Sequence, residues 1–115
     1  MHEASILLAL IDQVQDVLQH HPGMRVKTVT VRIGTLSSVI PEALHFAYPA
    51  GARGTVLEQA TLVIETVEAV GICPEHGDIP LHPQRGLRCP HCDHPITTLR
   101  SGEELELEAL ELEET

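Results

Sequence analysis

Apolar residues recur at helical spacing over residues 5–19, where Leu7, Leu10, Ile11, Val14, Val17 and Leu18 follow the i, i+3, i+4, i+7 rule. Asp12, Gln13, Gln15, Asp16 and Gln19 fill the opposite side, so the pattern predicts an amphipathic helix with one core-facing stripe. His20-His21-Pro22-Gly23 ends it, because proline cannot continue a helix and glycine suits the turn. The period then drops to two. Val29, Val31 and Ile33 alternate with Thr28, Thr30 and Arg32, which predicts a half-buried strand over 26–33, broken at Gly34. Pro41 suits the first turn of a second, short helix with Ser38 as a nearby cap. That helix is expected to end near Tyr48, ahead of Pro49, Ala50 and Gly51. A second strand is predicted from Leu62 to Val67.

The texture changes at Gly71. From there to Ser101 lie all the cysteines, half of the histidines and most of the prolines. Apolar residues are sparse, so this stretch cannot bury enough surface to fold unaided and needs a metal or disulfides. Beyond it, Leu105, Leu107 and Ala109 alternate with glutamates, and Leu110 and Leu112 follow after a one-residue slip. This pattern reads as a strand with a bulge. A charged helix is the rival, since Glu and Leu both favour helices, but the short alternating run bounded by Gly102 favours the strand. Such a strand can return to the sheet formed by the first two. The expected fold is therefore α+β: a small sheet with two helices over 1–70 and 102–115, plus an inserted zinc-ribbon-like module over 71–101.

The inserted segment carries the clearest chemistry. Cys73-Pro-Glu-His76 and Cys89-Pro-His-Cys92 each hold two donors separated by two residues. That spacing lets a pair turn about one ion, and the loop between the pairs can close a tetrahedral site. Thiolate-rich ligation favours Zn(II). His76 is the expected fourth ligand because it mirrors the gap in the second pair; His82, His91 and His94 are the alternatives. A redox role for Cys89 and Cys92 lacks the strand–helix setting it needs. Catalytic zinc lacks an open position and a general base. Arg85, Arg88 and Arg100 read as a solvated face.

Charge and composition narrow the field. The net charge is −10, and the only aromatics are Phe46 and Tyr48. Phosphate contacts rest on Lys and Arg, and base stacking on aromatic rings, so nucleic acid is not an expected partner. No apolar run approaches the length of a membrane span, and the first residues do not resemble a signal peptide, so no membrane association is expected and the cytoplasm is the expected compartment. Cysteines in a reducing compartment point to metal ligation instead of disulfides. No nucleophile–base motif, phosphate loop or dinucleotide fingerprint is present, and the chain is not expected to be an enzyme.

Met1-His2-Glu3 by itself reads as a terminus that happens to carry a histidine. An imidazole at position 2 does, however, lie beside main-chain nitrogens that can donate to a d8 ion, a ligand set suited to Ni(II) or Cu(II) more than to zinc. Together with Val31-Arg32-Ile33-Gly34-Thr35-Leu36-Ser37, Pro41-Glu42-Ala43-Leu44, Gly54-Thr55-Val56, the cysteine pairs and Gly102-Glu103-Glu104-Leu105, these residues resemble the HypA/HybF hydrogenase maturation proteins over essentially the whole chain. The resemblance implies a nickel metallochaperone. Ni(II), as cargo, would bind through His2 with Glu3 in support. Structural Zn(II) would sit in the cysteine module. The partners implied are the GTPase HypB, the [NiFe]-hydrogenase large subunit and, in some members, urease maturation proteins. His91 and His94 are further candidates to approach the nickel. The runner-up is a zinc-ribbon interaction adaptor without a nickel role. Two departures from the family pattern stand out. His76 replaces a usual cysteine, which predicts a weaker or more pH-sensitive zinc site. Pro49 falls where relatives continue the second helix, which predicts a shortened or kinked helix.

Overall fold

The computed structural model describes residues 2–115, with His2 described for its backbone only. Along the chain come α1 (His2–Leu18), β1 (Met24–Gly34), α2 (Pro41–Ala52), β2 (Thr61–Val67), β3 (Val70–Cys73), β4 (Gly77–Pro80), a single 3-10 turn (Pro83–Arg85), β5 (Leu99–Ser101) and β6 (Leu105–Glu114). The fold is α+β, with one three-stranded sheet ordered β2-β1-β6 and another ordered β4-β3-β5. No helix among the described residues is long and apolar enough to cross a membrane. The chain forms two compact units. One comprises the segments up to Val31, Val39–Ile64 and Glu106–Thr115; the other comprises Arg32–Ser38 and Glu65–Leu105.

In the first unit, burial follows the helical stripe. Leu7, Leu10, Ile11 and Val14 of α1 are buried, as are Leu44, Tyr48 and Ala52 of α2 and Leu57, Ala60 and Leu62 beyond it. The two helices approach closely at Gly51, where a Cβ would lie 2.7 Å from Leu7 Cδ1; no larger residue fits there without moving Leu7. Contrary to expectation, α2 does not stop at Tyr48 but runs through Pro49 to Ala52. Proline removes one helical donor, yet both Pro49 and the residue whose carbonyl loses its partner, His45, are exposed, so water can serve that carbonyl. Burial of Tyr48 and Ala52 on either side holds the last turn. The Tyr48 hydroxyl lies 3.0 Å from both the Leu57 and the Ala60 carbonyls and donates to them. It thereby pins the segment after α2 to the helix.

The strand alternative holds for the acidic segment: β6 runs antiparallel to β1. Thr115 N–H donates to Gly23 O at one end and Gly34 N–H to Glu104 O at the other, so the two strands advance by equal numbers of residues between these anchors. An extra residue on β6 alone, as a one-sided bulge requires, is therefore absent. The slip between Leu107 and Leu110 is matched on β1, where the buried positions step from Val26 to Val29, Val31 and Ile33. The half-buried leucines of β6, Leu107, Leu110 and Leu112, show the same three-then-two stepping as the buried residues of β1.

The second unit has a small core of Ala69, Cys73, Ile79, Leu81, Cys89 and Ile96, with Leu36 and Leu99 packed against it. Two of those six residues are cysteines, so two of the four donors of the candidate metal site are also core residues.

Candidate metal centre

The first donor pair sits on a hairpin. β3 and β4 pair antiparallel with Gly71 opposite Ile79 and Cys73 opposite Gly77. Pro74, Glu75 and His76 therefore form the turn, and His76 projects from it beside Cys73. Gly77 closes the turn with φ +69° and open space where a Cβ would be, a left-handed conformation that favours glycine. The second pair lies on a loop closed by its own backbone: Asp93 N–H donates to Cys89 O at 2.9 Å, and Cys89 N–H to His94 O at 2.9 Å. The His91 N–H also points at Cys89 Sγ, 3.4 Å away. Asp93, one residue past Cys92, is left-handed with φ 61°, a region Asp tolerates better than most side chains. Arg88 holds that residue through its guanidinium, donating to Asp93 O at 3.0 Å and facing its carboxylate at 3.6 Å.

These two turns bring Cys73, His76, Cys89 and Cys92 together, with one donor atom from each within 4.8 Å of the others. Cys73 Sγ lies 3.6 Å from His76 Nδ1 and 3.6 Å from Cys92 Sγ, and Cys89 Sγ lies 3.7 Å from the same His76 nitrogen. Cys73 and Cys89 are buried while His76 and Cys92 are exposed, so the group opens to solvent on one side. Burial acts to raise the Cys73 thiol, but His76 and the backbone of Glu75 and His76 hydrogen-bond to it and bring it down to about 6. Cys92 has a backbone contact from His94 that lowers it; burial and the adjacent Cys73 and Cys89 outweigh this and push it up to about 11. Three sulfurs and one imidazole gathered this closely form a donor set that suits a thiophilic cation.

The alternative histidines lie outside this group. The His91 ring centroid is 5.3 Å from that of His76. His94 Nδ1 is 2.7 Å from the Pro95 carbonyl, and His82 stands ahead of the 3-10 turn. Arg100 pairs with Asp78 at 2.7 Å and Arg88 with Asp93. Two of the three arginines of this segment are thus engaged with local carboxylates. Glu3 is a half-buried residue in the first turn of α1; Met1 and the His2 side chain lie outside the described residues. The left-handed residue that follows each donor pair was missed in the sequence. Gly77 was its visible signal, one position past His76 as Asp93 is one past Cys92.

Comparison with known proteins places this architecture among others. A family model described as hydrogenase/urease nickel incorporation, metallochaperone, HypA, matches residues 1–112. A hydrogenase maturation factor HypA of Deinococcus radiodurans is 56% identical over 107 residues, covering 93% of this chain and 89% of that protein. One of Chloroflexus aurantiacus is 39% identical over 112 residues, covering 96% of this chain and 98% of that protein. Among solved structures, the solution structure of the Ni metallochaperone HypA from Helicobacter pylori superposes with a TM-score of 0.67. It covers 95% of each chain at 20% identity, a likeness of fold.

Proposed function

Because the chain belongs to the HypA family of hydrogenase/urease nickel-incorporation metallochaperones, we propose that it binds Ni(II) at its N-terminus and delivers it for maturation of [NiFe]-hydrogenase. His2 is the principal nickel ligand and Glu3 supports it. The N-terminal α/β part carries this nickel function, and the cysteine module is a separate zinc-binding domain. The protein acts in the cytoplasm, passing the metal to the hydrogenase large subunit with HypB as GTPase partner, or to urease maturation proteins. The observation that carries the reading is sequence similarity over nearly the whole chain to maturation factors of this one family.

Two features support the metal assignments. α1 begins at His2, and the first N–H groups of a helix have no intrahelical partners. The main-chain nitrogens beside the imidazole can therefore lose their protons to a planar Ni(II) site without breaking helical hydrogen bonds. At the cysteine module, zinc–sulfur bonds of about 2.3 Å and zinc–nitrogen bonds of about 2.0 Å at tetrahedral angles require sulfur–sulfur edges of about 3.8 Å and sulfur–nitrogen edges of about 3.6 Å. The separations of 3.6 and 3.7 Å at Cys73, Cys92, Cys89 and His76 fit a zinc ion held by those residues. Bound there, zinc would link the two turns and offset most of the thiolate charge.

Calorimetry with nickel on three proteins tests the reading: the native chain, His2→Ala, and a chain extended before Met1. His2→Ala is expected to abolish nickel binding and the extension to weaken it, with zinc content equal in all three. Equal nickel affinity in native and His2→Ala protein would sink the nickel role and leave a zinc-ribbon adaptor.

A further inference from the structure

The strand β6 differs from its neighbour β1 in one respect that its sequence does not explain. Val26, Val29, Val31 and Ile33 of β1 are all buried, whereas no residue of β6 is. Leu107, Leu110 and Leu112 remain only half-buried. Beside them runs an open groove of about 380 Å³, bordered by Val17 and His21 of α1. The sheet order β2-β1-β6 places β6 at an edge, so among the described residues no strand pairs with its outer side. A free edge next to an incompletely covered aliphatic groove is the arrangement that accepts an added strand: the backbone supplies the hydrogen bonds and alternate side chains fill the groove.

Charge selects the occupant. Glu111 and Glu113 alternate with the leucines of this groove, which Glu108 also borders. On the side facing β1 they are already matched by cations, with Arg25 3.6 Å from Glu113 and Lys27 3.9 Å from Glu111. Cross-strand neighbours of opposite charge stabilise a sheet and like charges directly opposite destabilise it. The open side of the same glutamate row therefore calls for a strand repeating the Arg25, Lys27 pattern. The same rule disfavours a second copy of β6, whose glutamates would face these.

We propose that the β6 edge is a docking site for an extended segment of a partner protein in which Lys or Arg alternates with aliphatic residues, the cations lying along Glu111 and Glu113 and the aliphatics entering the Val17, Leu110, Leu112 groove.

The probe is a synthetic, blocked seven-residue peptide of alternating lysine and valine, with an alternating glutamate–valine peptide as its control, added to the zinc-loaded full-length protein. Nitrogen–proton correlation spectra and amide exchange report the site, and mass by light scattering reports self-association. The lysine peptide is expected to shift and protect amides of β6 while β2, the opposite edge, stays unchanged. Neutralising Glu111→Gln or Glu113→Gln should weaken binding by up to about fivefold each, the scale of a cross-strand charge pair. Leu110→Ser should weaken it without changing its salt dependence. Equal binding of both peptides, equal affinity in the glutamate variants with the fold intact, or shifts confined to β2 would overturn the proposal. So would a doubling of mass with protein concentration that protects β6 in the absence of peptide, which would assign the edge to a second copy.

Discussion

Cys73 and Cys92 touch the same imidazole cluster yet are driven in opposite directions, to about 6 and about 11. The difference is one of local donors: Cys73 sits where the turn's backbone and His76 point at its sulfur, while Cys92 faces two other sulfurs. Zinc binds thiolates, so at neutral pH Cys92 must release a proton on binding, whereas Cys73 is already ionised. Below about pH 6 Cys73 must also lose a proton before it can bind. Zinc affinity is therefore expected to fall with decreasing pH, with a steeper slope below about 6, as measured by competition with a chromogenic chelator. A slope unchanged across pH 6 would argue against Cys73 as a ligand. Cys89→Ser should empty the site. Gly77→Ala should cost about 1 kcal/mol of stability in the zinc-loaded protein, the penalty of a left-handed side chain, and Gly77→Asn less; chemical denaturation reads both.

At the scale of the element, α2 shows propensity losing to packing. Pro49 and Gly51 both discourage a helix, yet Tyr48 and Ala52 are buried on either side of them and Gly51 admits Leu7. Tyr48→Phe leaves the Leu57 and Ala60 carbonyls without their shared donor. It should destabilise the protein by about 1–3 kcal/mol, seen as a lower denaturation midpoint. Burial also raises the Tyr48 phenol from 10.0 to about 12. The unfolded chain thus releases this proton first as pH rises. Stability should decline above about pH 10, and Tyr48→Phe should flatten that decline. In a pH series of thermal melts, an unchanged alkaline slope in the variant would refute this.

For the whole molecule, the division of labour between the two units follows from where apolar residues are available. The unit containing α1, α2 and most of the β2-β1-β6 sheet has its own aliphatic core. The other relies on a cluster in which Cys73 and Cys89 are two of six buried members. Removing a zinc ion bound there would leave crowded, partly charged thiols inside that cluster. Chelation is expected to abolish amide protection over β3, β4 and the Cys89–Cys92 loop while Val29 and Val31 on β1 stay protected. Simultaneous loss of protection in both regions would show that the metal-rich module does not unfold alone.

By itself the sequence determined the elements whose burial has a period: α1, the central strand β1, and β6, where alternation outweighed the helix preference of Glu and Leu. It also determined the pairing of donors, since two residues between ligands is a local property of a turn. What only the tertiary structure decided were features that depend on a partner element. α2 continues past Pro49 because the residues beyond it are packed against other parts of the unit, which no local propensity encodes. The slip on β6 adds no residue because β1 changes phase with it, and one strand read alone cannot reveal its neighbour's phase. His76, and not His82, His91 or His94, joins the three sulfurs because Gly77 turns β4 back against β3 and carries the imidazole with it. The half-covered groove along β6 could be seen only once the sheet order showed which strand lies at the edge. Side-chain period reports which face is apolar, but the number of elements available to cover that face is set by how the whole chain packs.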